Sequence, residues 1–456
     1  LSALEPSDAE LEAWLAACAR MVREHAATSG DRPASDLDGA DDLADTFREP
    51  APREGTSLDA LLARLQPAFD KSLHTAGPGY LAFIPGGGLP SCAIADLIAL
   101  SYNRFVGVSR AAPALAAIER TAVRWLADIA GYPASARGVL TTGGSISNLV
   151  AMVTARIEML GDDIARGVVY ASEETHHSVA KAARIAGLVH VRRVAVDDRL
   201  RISVDSLAAA IEADRKNGFR PFLIVANAGT TNTGAIDPLD AICDLADRER
   251  LWVHCDGAYG GLFRMVDACK MQLNAIARCA SVTLDVHKTM FAPYGTGCVL
   301  VRDGAALKRA HATGAAYLAD VAARDDEDDF ADLSPELSRE FRGLRVWLPV
   351  MLHGMDAFVS ALEEKLRLTA LVHESLAADP RFELLDSRPQ LTVVAFRLRN
   401  ASDEENRALL ARVNARKRVY LSSTVVRDRF WLRIAIMSFR THEDRVREAI
   451  EIVRSC

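Results

Sequence analysis

The sequence predicts an α/β protein: a mostly parallel central sheet covered by helices on both faces, followed by a smaller C-terminal α+β domain. Three observations predict it. Between Leu115 and Leu284, short β-branched runs alternate with stretches of helical periodicity, the pattern of right-handed crossovers between parallel strands. After Gly343 the order changes to a long helical stretch reaching about Ala378, and then to strands and helices in turn. The 456 residues, 50% hydrophobic and 25% charged, suffice for a large core and leave only local room for disorder.

Apolar positions at helical spacing from Leu11 to Val22 predict a first helix, and the polar Gly30–Gly55 stretch reads as an exposed connector. A second helix is expected over Ser57–Phe69. Gly77-Pro78-Gly79 and Pro85-Gly86-Gly87-Gly88 follow, with glycines suited to tight turns or close backbone approach. Sheet strands are expected at Gly167–Ala171, Val189–Val194, Phe222–Ala226, Leu251–His254 and Ser281–Leu284. The smaller domain should contain strands near Thr392–Leu398, Val419–Ser422 and Phe430–Ala435, with helices at Asp403–Ala415 and His442–Val453. The expected organisation is an N-terminal helical arm over residues 1–75, a large domain over 76–350 and the small domain over 351–456.

Lys and Arg total 54 against 61 Asp and Glu, and the net charge of −7 argues against a chain that tracks nucleic acid or an anionic membrane. The eight cysteines (18, 92, 243, 255, 269, 279, 298 and 456) form no C-x-x-C pair and show no zinc-site spacing. They read as buried thiols in a reducing compartment, and no metal is expected. No segment has about 18 consecutive apolar residues, and the first residues pattern as an amphipathic helix, so a cytoplasmic location is expected. The acidic run Asp325-Asp326-Glu327-Asp328-Asp329 reads as a solvated loop.

Ligands of open α/β sheets sit beyond the carboxyl ends of the strands, so polar residues directly after apolar runs are the first candidates. Thr141-Thr142-Gly143-Gly144-Ser145-Ile146-Ser147-Asn148 follows an apolar run and opens a helix. Free N–H groups and the helix dipole favour an anion there, most simply a phosphate, although a plain Ser-capped turn has the same look. Glu174-Thr175-His176-His177-Ser178 places histidines at a strand-to-helix junction, where one can stack on a flat cofactor, transfer a proton, or merely cap the surface. In Trp252-Val253-His254-Cys255-Asp256-Gly257-Ala258, a strand delivers a carboxylate that can hold a positive charge or cap a helix, and Ala258 leaves room for a planar ring. In Ser281-Val282-Thr283-Leu284-Asp285-Val286-His287-Lys288, a lysine follows an apolar strand. That site is expensive unless the amine is neutralised, paired or used covalently, although many strand-end lysines are simply solvated.

The combination is far more specific than any member. An anion cradle, a ring stacker, a carboxylate for a pyridinium nitrogen and a Schiff-base lysine, in this order on one sheet, describe a pyridoxal 5'-phosphate site.

On Gly143-Gly144-Ser145-Ile146-Ser147-Asn148, Asn227-Ala228-Gly229-Thr230-Thr231, His254–Tyr259, Asp285-Val286-His287-Lys288 and Arg339-Glu340-Phe341-Arg342, the chain resembles the group II pyridoxal-phosphate-dependent amino-acid decarboxylases. These include the aromatic L-amino acid, glutamate and cysteine-sulfinate decarboxylases. The resemblance implies the PLP-dependent transferase-like fold of aspartate aminotransferase (fold type I), built as a homodimer with shared active sites and the N-terminal helices packed on the partner. It implies Lys288 as the Schiff-base lysine, Asp256 at the pyridinium nitrogen, His176 on the ring, and Gly143, Gly144 and Ser145 at the phosphate. Thr230 and Ala258 then line the ring and His287 lies beside the lysine. Decarboxylation of an L-amino acid through a quinonoid intermediate follows, with a loop tyrosine as proton donor in the family.

Counted back without gaps from Arg339, that tyrosine position falls on Phe330, which has no transferable proton. In plant relatives a Phe there accompanies oxidative deamination to an aldehyde, an alternative to amine formation here, while Tyr317 or His287 would be other proton sources. The resemblance places the substrate side chain against Tyr80, Phe83, Ile84 and Pro85 and against Val106 and Val108, partly across the subunit boundary. This apolar lining favours an aromatic or apolar amino acid. Arg433 matches an arginine that meets substrate carboxylate, or serves a core ion pair.

Rival readings are a nicotinamide oxidoreductase, disfavoured because no G-x-G-x-x-G sits at a strand-to-helix turn, a PLP carbon–carbon lyase with a similar Asp-x-His-Lys segment, and a non-catalytic protein on the same fold.

Overall fold

A computed structural model describes residues 4–313, 328–386 and 388–456. Its strands in chain order are β1 (Tyr80–Leu81), β2 (Arg137–Thr141), β3 (Gly167–Ser172), β4 (His190–Val194), β5 (Arg220–Asn227), β6 (Trp252–Asp256), β7 (Ser281–Leu284), β8 (Gly297–Val301), β9 (Phe382–Leu384), β10 (Val393–Leu398), β11 (Tyr420–Val426) and β12 (Arg429–Ala435).

The chain divides into two compact units. The larger holds Ile84–Glu374 and Leu384–Ala395; the smaller holds Leu1–Phe83, Ser375–Glu383 and Phe396–Cys456. Residues of the expected arm and of the expected C-terminal domain therefore fall within one unit, while the helix from Met355 lies largely in the other.

In the larger unit a seven-stranded sheet has the order β2-β8-β7-β6-β5-β3-β4. Only β8 runs against its neighbours β2 and β7, and the β7-β6-β5-β3-β4 pairings are all parallel. Strands β3 and β7 are buried along their whole length, which explains why they read as unbroken apolar runs rather than alternating ones. Val139, Val169, Leu223, Val225 and Val299 pack with Val150, Ala151 and Ala155 of the helix Gly144–Leu160. Each fully buried aliphatic side chain contributes about 1.5–3 kcal/mol, so the sheet and this helix form a rigid platform for residues at the strand ends.

A second sheet has the order β1-β11-β12-β10-β9. Within the smaller unit β1 pairs in parallel with β11, and the Tyr80 and Tyr420 rings stack 5.8 Å apart. Strands β11 and β12 form a hairpin through Arg427 and Asp428, both at positive φ, the backbone a two-residue turn of matching twist requires. The helix Asp403–Ala415 has the expected bounds because Ser402 and Glu405 form a reciprocal capping box. The long helical stretch after Gly343 is in fact two helices, Gly343–His353 and Met355–Ala377, separated by Gly354 at φ +73.

Among the described residues, no helix is long and apolar enough to cross a membrane, and no group of three or more His, Cys, Asp or Glu could hold a metal ion.

Candidate active site

The carboxyl ends of β2, β3, β5, β6 and β7 lead into segments that surround one cleft of about 320 Å³ in the larger unit, within the range of small-molecule sites. Gly143, Gly144, Ser145, His176, Thr230, Asp256, Ala258, His287 and Lys288 all line it.

Its anion side is built by backbone. Gly143 holds φ +145, a conformation only glycine adopts readily, and passes directly into the helix Gly144–Leu160. The first N–H groups of that helix have no intrahelical acceptor, and the helix dipole adds positive potential. Thr141 fixes the turn: its Oγ1 accepts from the Gly143 N–H at 3.2 Å and bonds the Ser147 hydroxyl at 2.7 Å. Gly297 of β8 passes so near that a Cβ there would lie 2.6 Å from the Gly143 Cα.

Asp256 ends β6 and is 8% exposed. Its Oδ2 accepts from Asn148 Nδ2 at 2.9 Å and its Oδ1 from the Ala258 N–H at 3.2 Å. His176 is half-buried, and its Nδ1 lies 2.8 Å from Ser178 Oγ and 3.3 Å from the Ser178 backbone nitrogen. Burial pushes the His176 pKa down, against the pull of the Asp256 carboxylate.

Lys288 lies in the short helix Val286–Thr289 just beyond β7, with Nζ 3.0 Å from Asp285 Oδ2. Asp285 is 2% exposed, and its Oδ1 has no hydrogen-bonding partner among the described residues. His287 places Nδ1 2.9 Å from the Thr296 carbonyl oxygen, which can only accept, so the ring proton sits on Nδ1. Its Nε2 is 3.6 Å from Asp285 Oδ2, and burial lowers the His287 pKa despite that carboxylate. Pro85-Gly86-Gly87-Gly88 makes the close backbone approach its glycines predict. The Gly87 N–H donates to the His287 and Ala292 carbonyls, and a Cβ on Gly87 would strike Phe291 at 2.3 Å.

Other expected site residues are not among those lining this cleft. Val106 and Val108 are buried, Val106 within the core cluster. Ile84 and Pro85 are buried as well. Phe330 is 2% exposed, packs in the same core cluster and carries the Arg339 guanidinium 5.2 Å from its ring centre. In the smaller unit Tyr80 is buried, Phe83 is 51% exposed, and buried Arg433 donates to Ser422 Oγ at 3.0 Å. Tyr317 lies outside the described residues. Conversely, Asn148, Ser178, Asp285 and Tyr294 line the cleft without having been singled out. Asn148 stands four residues after Gly144, one helical turn on, so helical spacing puts it on the face of the anion cradle.

These donors fit pyridoxal 5'-phosphate: a backbone cradle that a side chain at Gly143 would strain, a fixed buried carboxylate, and an amine held beside a carboxylate with one orphaned oxygen. The profile of the pyridoxal-dependent decarboxylase conserved domain matches residues 41–399. An aromatic-L-amino-acid decarboxylase of Bacillus atrophaeus is 34% identical over 432 residues, covering 92% of this chain and 90% of that one. The crystal structure of Oryza sativa TDC with PLP and tryptamine superposes with a TM-score of 0.94 at 27% identity, covering 100% of this chain and 98% of that one. The Catharanthus roseus tryptophan decarboxylase in complex with L-tryptophan gives 0.92 at 25% identity, with 99% of each chain covered. Sequence likeness along nearly the whole chain, and the same fold beneath it, carry one conclusion: this protein belongs to the pyridoxal-dependent decarboxylase family, carboxy-lyases of fold type I that act on amino acids with pyridoxal 5'-phosphate.

Proposed function

We propose that this protein decarboxylates an aromatic L-amino acid to its amine, with Lys288 as the attachment amine of the cofactor. The observation that carries the reading is the meeting of Lys288, Asp256, His176 and the Gly143–Ser145 turn in one cleft. When bound, pyridoxal 5'-phosphate supplies a conjugated electron sink. The N–H groups at the start of the helix Gly144–Leu160 bind the phosphate. Asp256, held by Asn148 and the Ala258 N–H, keeps a proton on the ring nitrogen by opposite charge. His176 flanks the ring, and Ala258 is small enough to admit it. Asp285 receives the Lys288 ammonium whenever the lysine is free, 3.0 Å away. His287, with its proton on Nδ1, presents Nε2 as a basic nitrogen able to take up a proton and return it to substrate carbon.

The substrate class rests on the Bacillus atrophaeus and plant relatives, whose names specify aromatic amino acids. Phe83 supports it as the exposed apolar member of the expected substrate-side set; it is held at φ +52, a strained conformation for a non-glycine residue. The proposal includes a homodimer in which Phe83 meets substrate. Its support is uncovered apolar surface: Leu11, Trp14 and Leu15 on the first helix and Ile94, Leu97 and Ile98 on Pro90–Tyr102 are each at least 41% exposed. All eight cysteines are free, which supports a reducing, cytoplasmic setting.

The test is a screen of amino acids for CO2 together with amine, aldehyde and peroxide. Tryptophan, tyrosine or phenylalanine should release CO2 and amine in equal amounts. Turnover confined to acidic amino acids would overturn the substrate class. Aldehyde with ammonia and peroxide would favour the reading that rests on Phe330.

A further inference from the structure

Behind the cleft lies a chain of polar side chains whose donors and acceptors can be assigned one by one. Asp256 accepts hydrogen bonds, so the Asn148 group 2.9 Å from its Oδ2 is the amide NH2. That NH2 also reaches Ser178 Oγ at 3.0 Å. The Asn148 carbonyl must then accept from Thr283 Oγ1 at 2.7 Å and from His254 Nε2 at 3.0 Å. His254 therefore carries its proton on Nε2. Its Nδ1 accepts from the Ser281 hydroxyl at 2.8 Å, which itself accepts from Trp252 Nε1 at 2.9 Å. All four hydrogen-bonding positions of Asn148 are filled.

The other arm ends at His176. The Ser178 backbone N–H points at Nδ1, so that atom presents a lone pair. Because Nδ1 accepts, the Ser178 hydroxyl, which itself accepts from Asn148, is the donor to the same Nδ1 at 2.8 Å. The one proton of neutral His176 is left on Nε2. His287 carries its proton on the opposite nitrogen, Nδ1.

We propose that Asn148 is a positioning residue of the active site: it holds the Asp256 carboxylate directly and, through Ser178, locks His176 as an Nε2–H donor. His176 then donates into the cleft and cannot act there as a base, a task left to His287. The inference rests on the cofactor site proposed above, but its central consequence concerns the imidazole alone.

The test has two readouts. Diethyl pyrocarbonate attacks the unprotonated imidazole nitrogen, which in His176 is the shielded Nδ1. In the full-length chain freed of cofactor, peptide mapping should show His176 labelled about tenfold more slowly than its exposed neighbour His177, whose ring lies 4.1 Å away. Ser178→Ala should release that protection. Asn148→Ala should do so as well, because a Ser178 hydroxyl that has lost the Asn148 donor is free to turn away from Nδ1 and leave that lone pair open to the reagent. Asn148→Ala should also weaken pyridoxal 5'-phosphate binding roughly tenfold, read by fluorescence titration. Wild-type His176 labelled as fast as His177, or protection unchanged in both folded variants, would overturn the proposal. A wild-type chain that binds no cofactor would instead sink the cofactor reading, with the labelling still reporting on the relay.

Discussion

Two ion pairs of the larger unit, Arg339–Glu119 and Lys288–Asp285, differ in what surrounds them. At Arg339 and Glu119 both side chains are 0% exposed and 2.6 Å apart. Glu119 Oε2 also accepts the Gly343 N–H at 3.0 Å, Arg339 Nη2 donates to the Leu140 carbonyl at 2.9 Å, and the Phe330 ring covers the guanidinium. At Lys288 and Asp285 the nitrogen–oxygen distance is 3.0 Å, but the lysine side chain is 20% exposed and the pair lines a cleft. A sealed pair fixes the positions of the segments it joins. An open pair that borders a cleft can take a ligand, so buried charge marks chemistry where it faces space that a ligand can enter.

Removing the lysine should break this contrast most visibly. Lys288→Ala should lower turnover by roughly 10⁴-fold or more and abolish the visible absorbance that borohydride removes from the wild type, while the urea midpoint changes little. A colourless wild-type protein that cannot be reconstituted would place both pairs in the structural class. Arg339→Met should act the other way round. It strands Glu119 without solvent, costing about 3–5 kcal/mol, and the further change Glu119→Leu should recover most of it. Urea unfolding of the single and double variants measures this, and an additive double variant would show that the two side chains do not act as a pair.

His254 lies between these extremes, buried behind the open cleft. Burial pushes its pKa down to about 4 from 6.5. Between those values the unfolded chain holds a proton that the folded chain refuses, so this stability is present above pH 6.5 and is lost as pH falls through 4. The difference amounts to roughly 3 kcal/mol. His254→Gln keeps an N–H for Asn148 and does not titrate, so its urea midpoint should fall less between pH 7 and pH 4 than that of the wild type. Equal losses would remove His254 from the buried neutral class.

What was legible in the sequence follows the same division. Asp256, His176 and Lys288 each stand just past an apolar strand, and a polar residue at a strand end is a local signal. Asn148, Ser178 and Asp285 lay inside the same short words, yet nothing in linear spacing tells which side chains converge once five strand ends meet. Val106 and Phe330 were placed near substrate by the resemblance, and composition does not tell an apolar residue of the core from one of a pocket wall. The pairing of Tyr80 with Tyr420 joins residues far apart in the chain, which periodicity does not encode. Strand β8 was missed because it runs against the parallel pattern that revealed its neighbours.

The smallest expected effect tests the comparison at its boundary. Phe330 belongs to the sealed side: its ring is buried, Arg339 lies against it, and the Ala331 N–H donates to the Gly107 carbonyl at 3.0 Å while Asp329 accepts the Ser109 N–H at 2.7 Å. Phe330→Tyr adds one hydroxyl to that packing and should cost on the order of 1–3 kcal/mol, with the ratio of amine to aldehyde unchanged. If instead the wild type releases aldehyde and the variant amine, the ring at 330 reaches reacting atoms during turnover. The segment from Asp329 to Leu333 would then leave its packed position in the working enzyme, and burial in one chain would no longer separate scaffold from site.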